Sequence, residues 1–312
     1  MKRVLCGLSF ALFSAFVQLH GAASNPDAQV CSGGNIVFCS EFEEGSLSAA
    51  WSTVNGPAAI TSDPGPFDRT GNNVLRLSAP SGSAGSNVIR TFTGAQRIYA
   101  RWYQKWEAGY DLGIGSHAGG LHAGDRWSYG RSSYRPTGAD WYSTWLEPVS
   151  QGADKGRLNF YSYYRGMYMD CADPSGSCWG DHFPCMVGPN YCTKPPVRVP
   201  PPYPPVMQPD VWYCLEIMLD GGTPTPTQAG ANGIQNFWVD GVEIGPWTDL
   251  WHRTTATGMD VNLFSLALYL PNPHDPGIGL RYDNVVVSTN QIGCVGTVVS
   301  APGPPTNLRI VS

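Results

Sequence analysis

Along most of this chain, apolar and polar residues alternate with a period of two. In RIYARWYQKW, residues 97–106, Arg101, Tyr103 and Lys105 fall on one face and Trp102, Gln104 and Trp106 on the other. Successive side chains of a strand point to opposite faces, so this spacing predicts half-buried strands and is incompatible with an amphipathic helix. Runs of the same kind recur at NVLRLSA (73–79), YSTWLEPV (142–149), RLNFYSYY (157–164), VWYCLEIMLD (211–220), IQNFWVDGVEI (234–244), VNLFSLALYL (261–270) and LRYDNVVVS (280–288). The 37 Gly and 27 Pro, about a fifth of the chain, punctuate these runs and leave little room for helices. Asp240-Gly241 sits between FWV and VEI and suits both central positions of a type I′ turn, so it predicts a hairpin with strands near 235–239 and 242–245. Many short strands separated by turn signals imply an all-β chain, an antiparallel sandwich or barrel.

The ends and one internal segment break the pattern. Lys2 and Arg3 precede an apolar run from Val4 to Val17 and then Gly21, Ala22 and Ala23, which reads as a secretory signal over residues 1–23. That run is too short to span a bilayer, so no membrane role is expected and the mature protein is expected outside the cell or in the periplasm. Loss of Lys2 and Arg3 leaves seventeen basic against twenty-four acidic residues, a balance of −7 that argues against a nucleic-acid partner. Residues 24–296 then form one β-domain and 297–312 a linker-like tail. Within the domain, 166–209 holds Cys171, Cys178, Cys185 and Cys192 at seven-residue spacing, followed by KPPVRVPPPYPPVMQP. It is expected to be a long disulfide- and Pro-rich insertion. Eight cysteines beyond Cys6 favour disulfides in an exported chain, with the pairing left open.

Histidine and tyrosine supply the candidate chemistry. HAGGLHAGDRW places His117 and His122 five residues apart across a Gly-Gly pair, a gap that does not put both rings on one face, and no third ligand follows at metal spacing; no metal is expected there. Polar loop residues or a chemical role remain open for the two histidines. Arg157, Asn159, Tyr161 and Tyr163 share one face of their strand while Leu158 and Phe160 point the other way, which divides it into a polar, aromatic face suited to a sugar and an apolar back. Trp141, Ser143, Trp145 and Glu147 are likewise co-facial, and indoles stack well on pyranoses.

Several of these stretches together, FEEGSLSAAW, RWYQKWEAGYD, GSHAGGLHAG, a strand opening with Trp212, WVDGVEIG and RYDNVVVSTNQIGC, resemble secreted concanavalin A-like jelly rolls. Within that superfamily the chain is most similar to polysaccharide lyases that act on alginate and glucuronan, over roughly residues 38–294 apart from the insertion. Where those lyases carry Gly-Gly-Lys-Leu-Pro-Gly-Leu, this chain has Gly115 to Leu121, which puts His117 at the position of the family's catalytic-site lysine. Their Ser-x-Arg and Tyr-x-Tyr strands correspond to Ser143-Thr144-Trp145 and Tyr161-Ser162-Tyr163, so an arginine is replaced by Trp145.

The resemblance implies β-elimination on a uronic-acid polysaccharide. The carboxylate is neutralised, a base removes the C5 proton, and an acid protonates the leaving O4. It makes His117, Tyr161 and Tyr163 the candidate catalytic groups, with Lys105, Ser143, Trp145, Arg157, Asn159 and His122 as candidate substrate-binding groups. A second reading keeps the aromatic platform in a non-catalytic carbohydrate-binding protein. A monomer with a polysaccharide ligand and no required cofactor is expected, and Asp283 with Glu41 or Glu43 matches places where this superfamily holds a structural calcium. The paired carboxylates of a jelly-roll glycosidase, the Gly-x-Ser-x-Gly elbow and a phosphate-binding glycine loop are all missing from the sequence.

Overall fold

The computed structural model describes residues 26, 30–79, 85–114, 116–125, 134–149, 152, 155–167, 180–184, 204–270 and 279–295. The expected signal segment, the tail and the four cysteines at seven-residue spacing lie outside these residues.

Among the described residues, sixteen strands form two antiparallel sheets. The first sheet contains β1 (Ile36–Ser40), β3 (Ala58–Ser62), β4 (Asn73–Ser78), β6 (Arg97–Trp106), β11 (Trp212–Asp220), β12 (Gly233–Val239), β13 (Val242–Glu243), β14 (Trp247–Leu250) and β16 (Gly279–Ser288). Its order is β13-β12-β11-β6-β16-β4-β3, with β1 paired to β16 and β14 to β12. The second sheet runs β10-β9-β8-β7-β15-β5-β2, from β2 (Thr53–Asn55), β5 (Gly85–Ala95), β7 (Gly119–Gly124), β8 (Trp141–Pro148), β9 (Leu158–Tyr163), β10 (Asp181–Phe183) and β15 (Val261–Tyr269). The two sheets pack face to face as a sandwich. The hairpin expected at Asp240-Gly241 is present, with both residues at positive φ as a type I′ turn requires.

The alternation chooses the faces. Trp102 of β6 meets Phe264 of β15 with ring centroids 5.6 Å apart, and Phe160 of β9 meets Phe237 of β12 at 5.1 Å. These pairs cross the interior, so odd-numbered residues of β8 and β9 lie on the outer face of the second sheet. Tyr282 of β16 also reaches across: its buried hydroxyl lies 3.0 Å from the carbonyl oxygens of Ala118 and of Ala267. One phenolic hydrogen shared between them pins the backbone beside His117 to β15. Among the described residues, the disulfides Cys31–Cys39 and Cys214–Cys294 tie down the termini of the fold.

The segment expected to be a long insertion contributes one short strand to the second sheet. Asp181–Phe183 pairs antiparallel with Phe160–Ser162 and closes the edge of the second sheet. A three-residue strand is too short to show periodicity, which is why the sequence hides it.

Candidate active site

The Gly-Gly pair in HAGGLHAG exists to let two tryptophans approach β7. A Cβ at Gly119 would lie 2.7 Å from the Trp102 ring on the inner face, and one at Gly120 would lie 2.7 Å from the Trp145 ring on the outer face. Trp145 therefore lies flat against the strand. Over it stands His117, whose ring is stacked with Trp145 at 5.1 Å, Tyr161 at 5.7 Å and Tyr269 at 5.3 Å between centroids. His117 and the two phenols at 161 and 163 thus come together on one side of the sandwich.

Strand register explains the gathering. Trp145 faces Tyr161 across β8 and β9, Tyr161 faces His182 across β9 and β10, and Glu147 faces Asn159 one step along. His117 Nδ1 is 2.7 Å from Glu147 Oε2. A carboxylate offers only acceptor oxygens, so Nδ1 carries the proton, and in the neutral ring Nε2 keeps the lone pair. His182 Nδ1–H donates to Asn159 Oδ1 at 3.1 Å and lies 3.9 Å from Glu147 Oε1. Burial lowers the pKa of His182 more than Glu147 raises it, so this imidazole stays neutral at neutral pH.

Tyr161 and Tyr163 hydrogen-bond through their hydroxyls at 2.7 Å. Burial pushes Tyr163 up to about 12 and Tyr161 well above its ordinary value, so both phenols remain protonated. Tyr161 is 9% exposed and Tyr163 1%, whereas the side chains of His117 and Glu147 are 18% and 15% exposed and Tyr269 is 48% exposed. Solvent therefore reaches the cluster at His117, Glu147 and Tyr269.

The remaining candidate groups divide between this cluster and other places. Ser143 faces Tyr163 in the β8–β9 register, and among the described residues its buried Oγ and the buried Nδ2 of Asn159 have no hydrogen-bond partner. His122 is on the same face but one position removed: it stacks on Trp141 at 6.0 Å, its Nε2–H donates to Asp125 O, and burial takes its pKa down to about 3. The two histidines are thus used separately, one on a carboxylate and one on a carbonyl. Arg157 sits at the start of β9, where its guanidinium donates to Pro204 O at 2.7 Å.

Lys105 does not belong with them. It lies on β6 in the first sheet, on the face opposite Trp102, with Nζ 3.3 Å from Asp63 Oδ2 and over the Trp212 ring. There it lines a cleft of about 470 Å³ with Asp63, Arg76, Glu107, Asp210 and Arg281. Alternation had given its face correctly, but period two does not say which sheet a strand joins. Arg101 and Tyr103 share that outer face and are buried, Arg101 donating to Asn284 O and the Tyr103 hydroxyl to Val295 O.

The residues expected around a structural calcium, Asp283 with Glu41 or Glu43, lie at or beside the first sheet. Glu43 binds Arg69 and Asn73, while Asp283 accepts from Asn72 Nδ2 and the Asn284 amide. Among the described residues no group of three or more His, Cys, Asp or Glu could hold a metal.

Three members of the cluster escaped the sequence reading. Glu147 was visible only as a co-facial neighbour of Trp145. His182 lay inside the segment read as an insertion, and Tyr269 ended a strand whose outer face otherwise carries small or aliphatic groups.

No family model and no curated relative matches the chain. Solved structures do. An alginate lyase from Chlorella virus superposes with a TM-score of 0.57 at 16% identity, covering 81% of this chain and 99% of that one. A marine alginate lyase from Aplysia kurodai gives 0.52 at 11% identity over 82% of this chain and 98% of that one. The alginate lyase Aly36B, in complex with an alginate tetrasaccharide, gives 0.54 at 10% identity over 83% and 98%. Strand order, sandwich packing and these superpositions agree that the chain has the jelly-roll fold of the polysaccharide lyases.

Proposed function

We propose that this protein is an exported lyase that cleaves a uronic-acid polysaccharide by β-elimination on the outer face of its second sheet. The observation that carries the reading is the His117–Glu147 pair set beside the Tyr161–Tyr163 pair. Glu147 holds the Nδ1 proton of His117 and leaves Nε2 to take the C5 proton. The electron pair released from C5 forms the C4–C5 double bond as the C4–O4 bond breaks. Tyr161 or Tyr163, kept protonated by burial, gives its proton to the departing O4. Tyr269, 48% exposed and stacked on His117, supplies stacking surface for the sugar. The two disulfides and a solved relative bound to an alginate oligosaccharide support an oxidising location and a glycan ligand.

The second reading, a carbohydrate-binding protein without catalysis, draws support from Trp145 in place of the expected arginine and from the burial of both phenols. Incubation of the purified protein with alginate, polyglucuronate and pectin, followed by the ultraviolet absorbance of new unsaturated ends, decides between them. Absorbance that grows with wild type and vanishes in a folded His117→Ala variant supports the lyase. Retarded migration in polysaccharide gels without any absorbance supports the binding protein.

A further inference from the structure

Among the described residues, the elimination reading leaves one requirement unmet. A free uronate holds its C5 proton tightly, because removing it places a second negative charge next to the carboxylate; a cation or strong donor must take up that charge. Among the described residues of this site the charges run the other way. The position matched to the family's arginine is Trp145, 4% exposed and stacked on His117. Glu147 contributes a carboxylate directly to the cluster, and among the described residues its ion-pair partners are His117 and His182 alone. His182 is held neutral by burial. No Lys or Arg among the described residues hydrogen-bonds or ion-pairs with His117, Glu147, Tyr161 or Tyr163. Arg157, the cation on this face of β9, is four residues from Tyr161, about 13 Å along a strand, and is engaged with Pro204 O.

We infer that the uronic acid cleaved here carries a capped carboxyl, an ester such as the methyl ester or an amide, in place of a free carboxylate. This rests on the elimination reading and names its substrate class. An uncharged carbonyl acidifies the C5 proton by delocalising one negative charge where the free acid would accumulate two. It also meets no repulsion from Glu147, and its alkyl group packs on indole and phenol in place of the ion pair that an arginine would make. The atoms balance as before: C5 gives its proton to His117 Nε2, the pair forms the C4–C5 bond, O4 leaves with the phenolic proton, and the ester is unchanged.

The test compares one polymer in two states: highly methyl-esterified polygalacturonate and the same chain after alkaline de-esterification, with methyl-esterified and free alginate as a second pair. Unsaturated ends are followed by absorbance. The inference expects initial rates at least tenfold higher on the esterified member of a pair, and expects a folded Trp145→Arg variant to narrow that ratio by regaining activity on the free acid. Equal or faster cleavage of the free acid by wild type overturns this inference and leaves the elimination reading standing. Absence of unsaturated ends on all four polymers overturns the elimination reading and this one together. Because the deciding ratio is measured on wild type, a variant that fails to fold does not affect it.

Discussion

Replacing Glu147 with Gln tests whether His117 acts as a base held by a carboxylate. The bond is short, 2.7 Å, and both side chains are mostly buried at 18% and 15% exposure, so solvent screens it only in part. A hydrogen bond to a charged group contributes about 1.5–3 kcal/mol. The interaction strengthens as the imidazole becomes imidazolium, so most of that energy belongs to the transition state and appears in kcat. At about 1.4 kcal/mol per decade, the loss is roughly 10- to 150-fold. Glu147→Gln keeps an acceptor oxygen for the Nδ1 proton and should fall near the low end; Glu147→Ala keeps none and should fall near the high end. KM should change by less than about threefold in both, since neither variant removes stacking surface. The assay is the initial rate of unsaturated-end formation on the best polymer, with circular dichroism to confirm the fold. An unchanged kcat in both variants would refute the dyad, and a large KM rise at constant kcat would recast Glu147 as a sugar ligand.

Other consequences follow from the packing. His122 has a folded pKa of about 3 against an ordinary 6.5, so the unfolded chain takes up its proton first; its contribution is complete above about pH 6.5 and drains away as pH falls toward 3. A His122→Asn variant should therefore lose up to about 1.4 kcal/mol per pH unit of the acid slope seen in urea titrations of wild type, and identical slopes would contradict the burial argument. Gly120→Ala should cost about 1–3 kcal/mol and depress activity, because the new methyl sits 2.7 Å from Trp145; a neutral effect on both would mean that the indole is not seated on β7. Joint replacement of Cys214 and Cys294 by Ala opens a loop of 80 residues and should lower unfolding stability by about 4–5 kcal/mol in the chain-entropy account. Lys105→Ala should leave cleavage rates within about twofold of wild type, since its charge serves Asp63 on the other sheet.

The fold was legible because alternation and turn chemistry are local. Each strand run announced its two faces, and Asp240-Gly241 announced its hairpin. The shared face of Tyr161 and Tyr163 followed from the same rule, as did the inward turn of Leu158 and Phe160. What alternation cannot encode is which sheet a strand enters or which strand lies beside it. Lys105 had the right side-chain direction and the wrong sheet for that reason, and Glu147 became a partner of His117 only through the pairing of β7, β8 and β9. His182 was lost for a different cause: three residues among Pro, Gly and Cys carry no period, yet the edge they close places an imidazole against Tyr161 at 4.9 Å. The glycines of HAGGLHAG read as loop residues, whereas their physical purpose is to leave room for Trp102 and Trp145.

The most direct measurement of the central claim is digestion of a uronate polymer in water enriched in heavy oxygen, with the products weighed by mass spectrometry. Elimination breaks the C4–O4 bond without adding water, so the account predicts oligosaccharides lighter than hydrolysis products by one water and free of the heavy label. Products that carry the label and no double bond, or an intact polymer after prolonged incubation with folded protein, would contradict it.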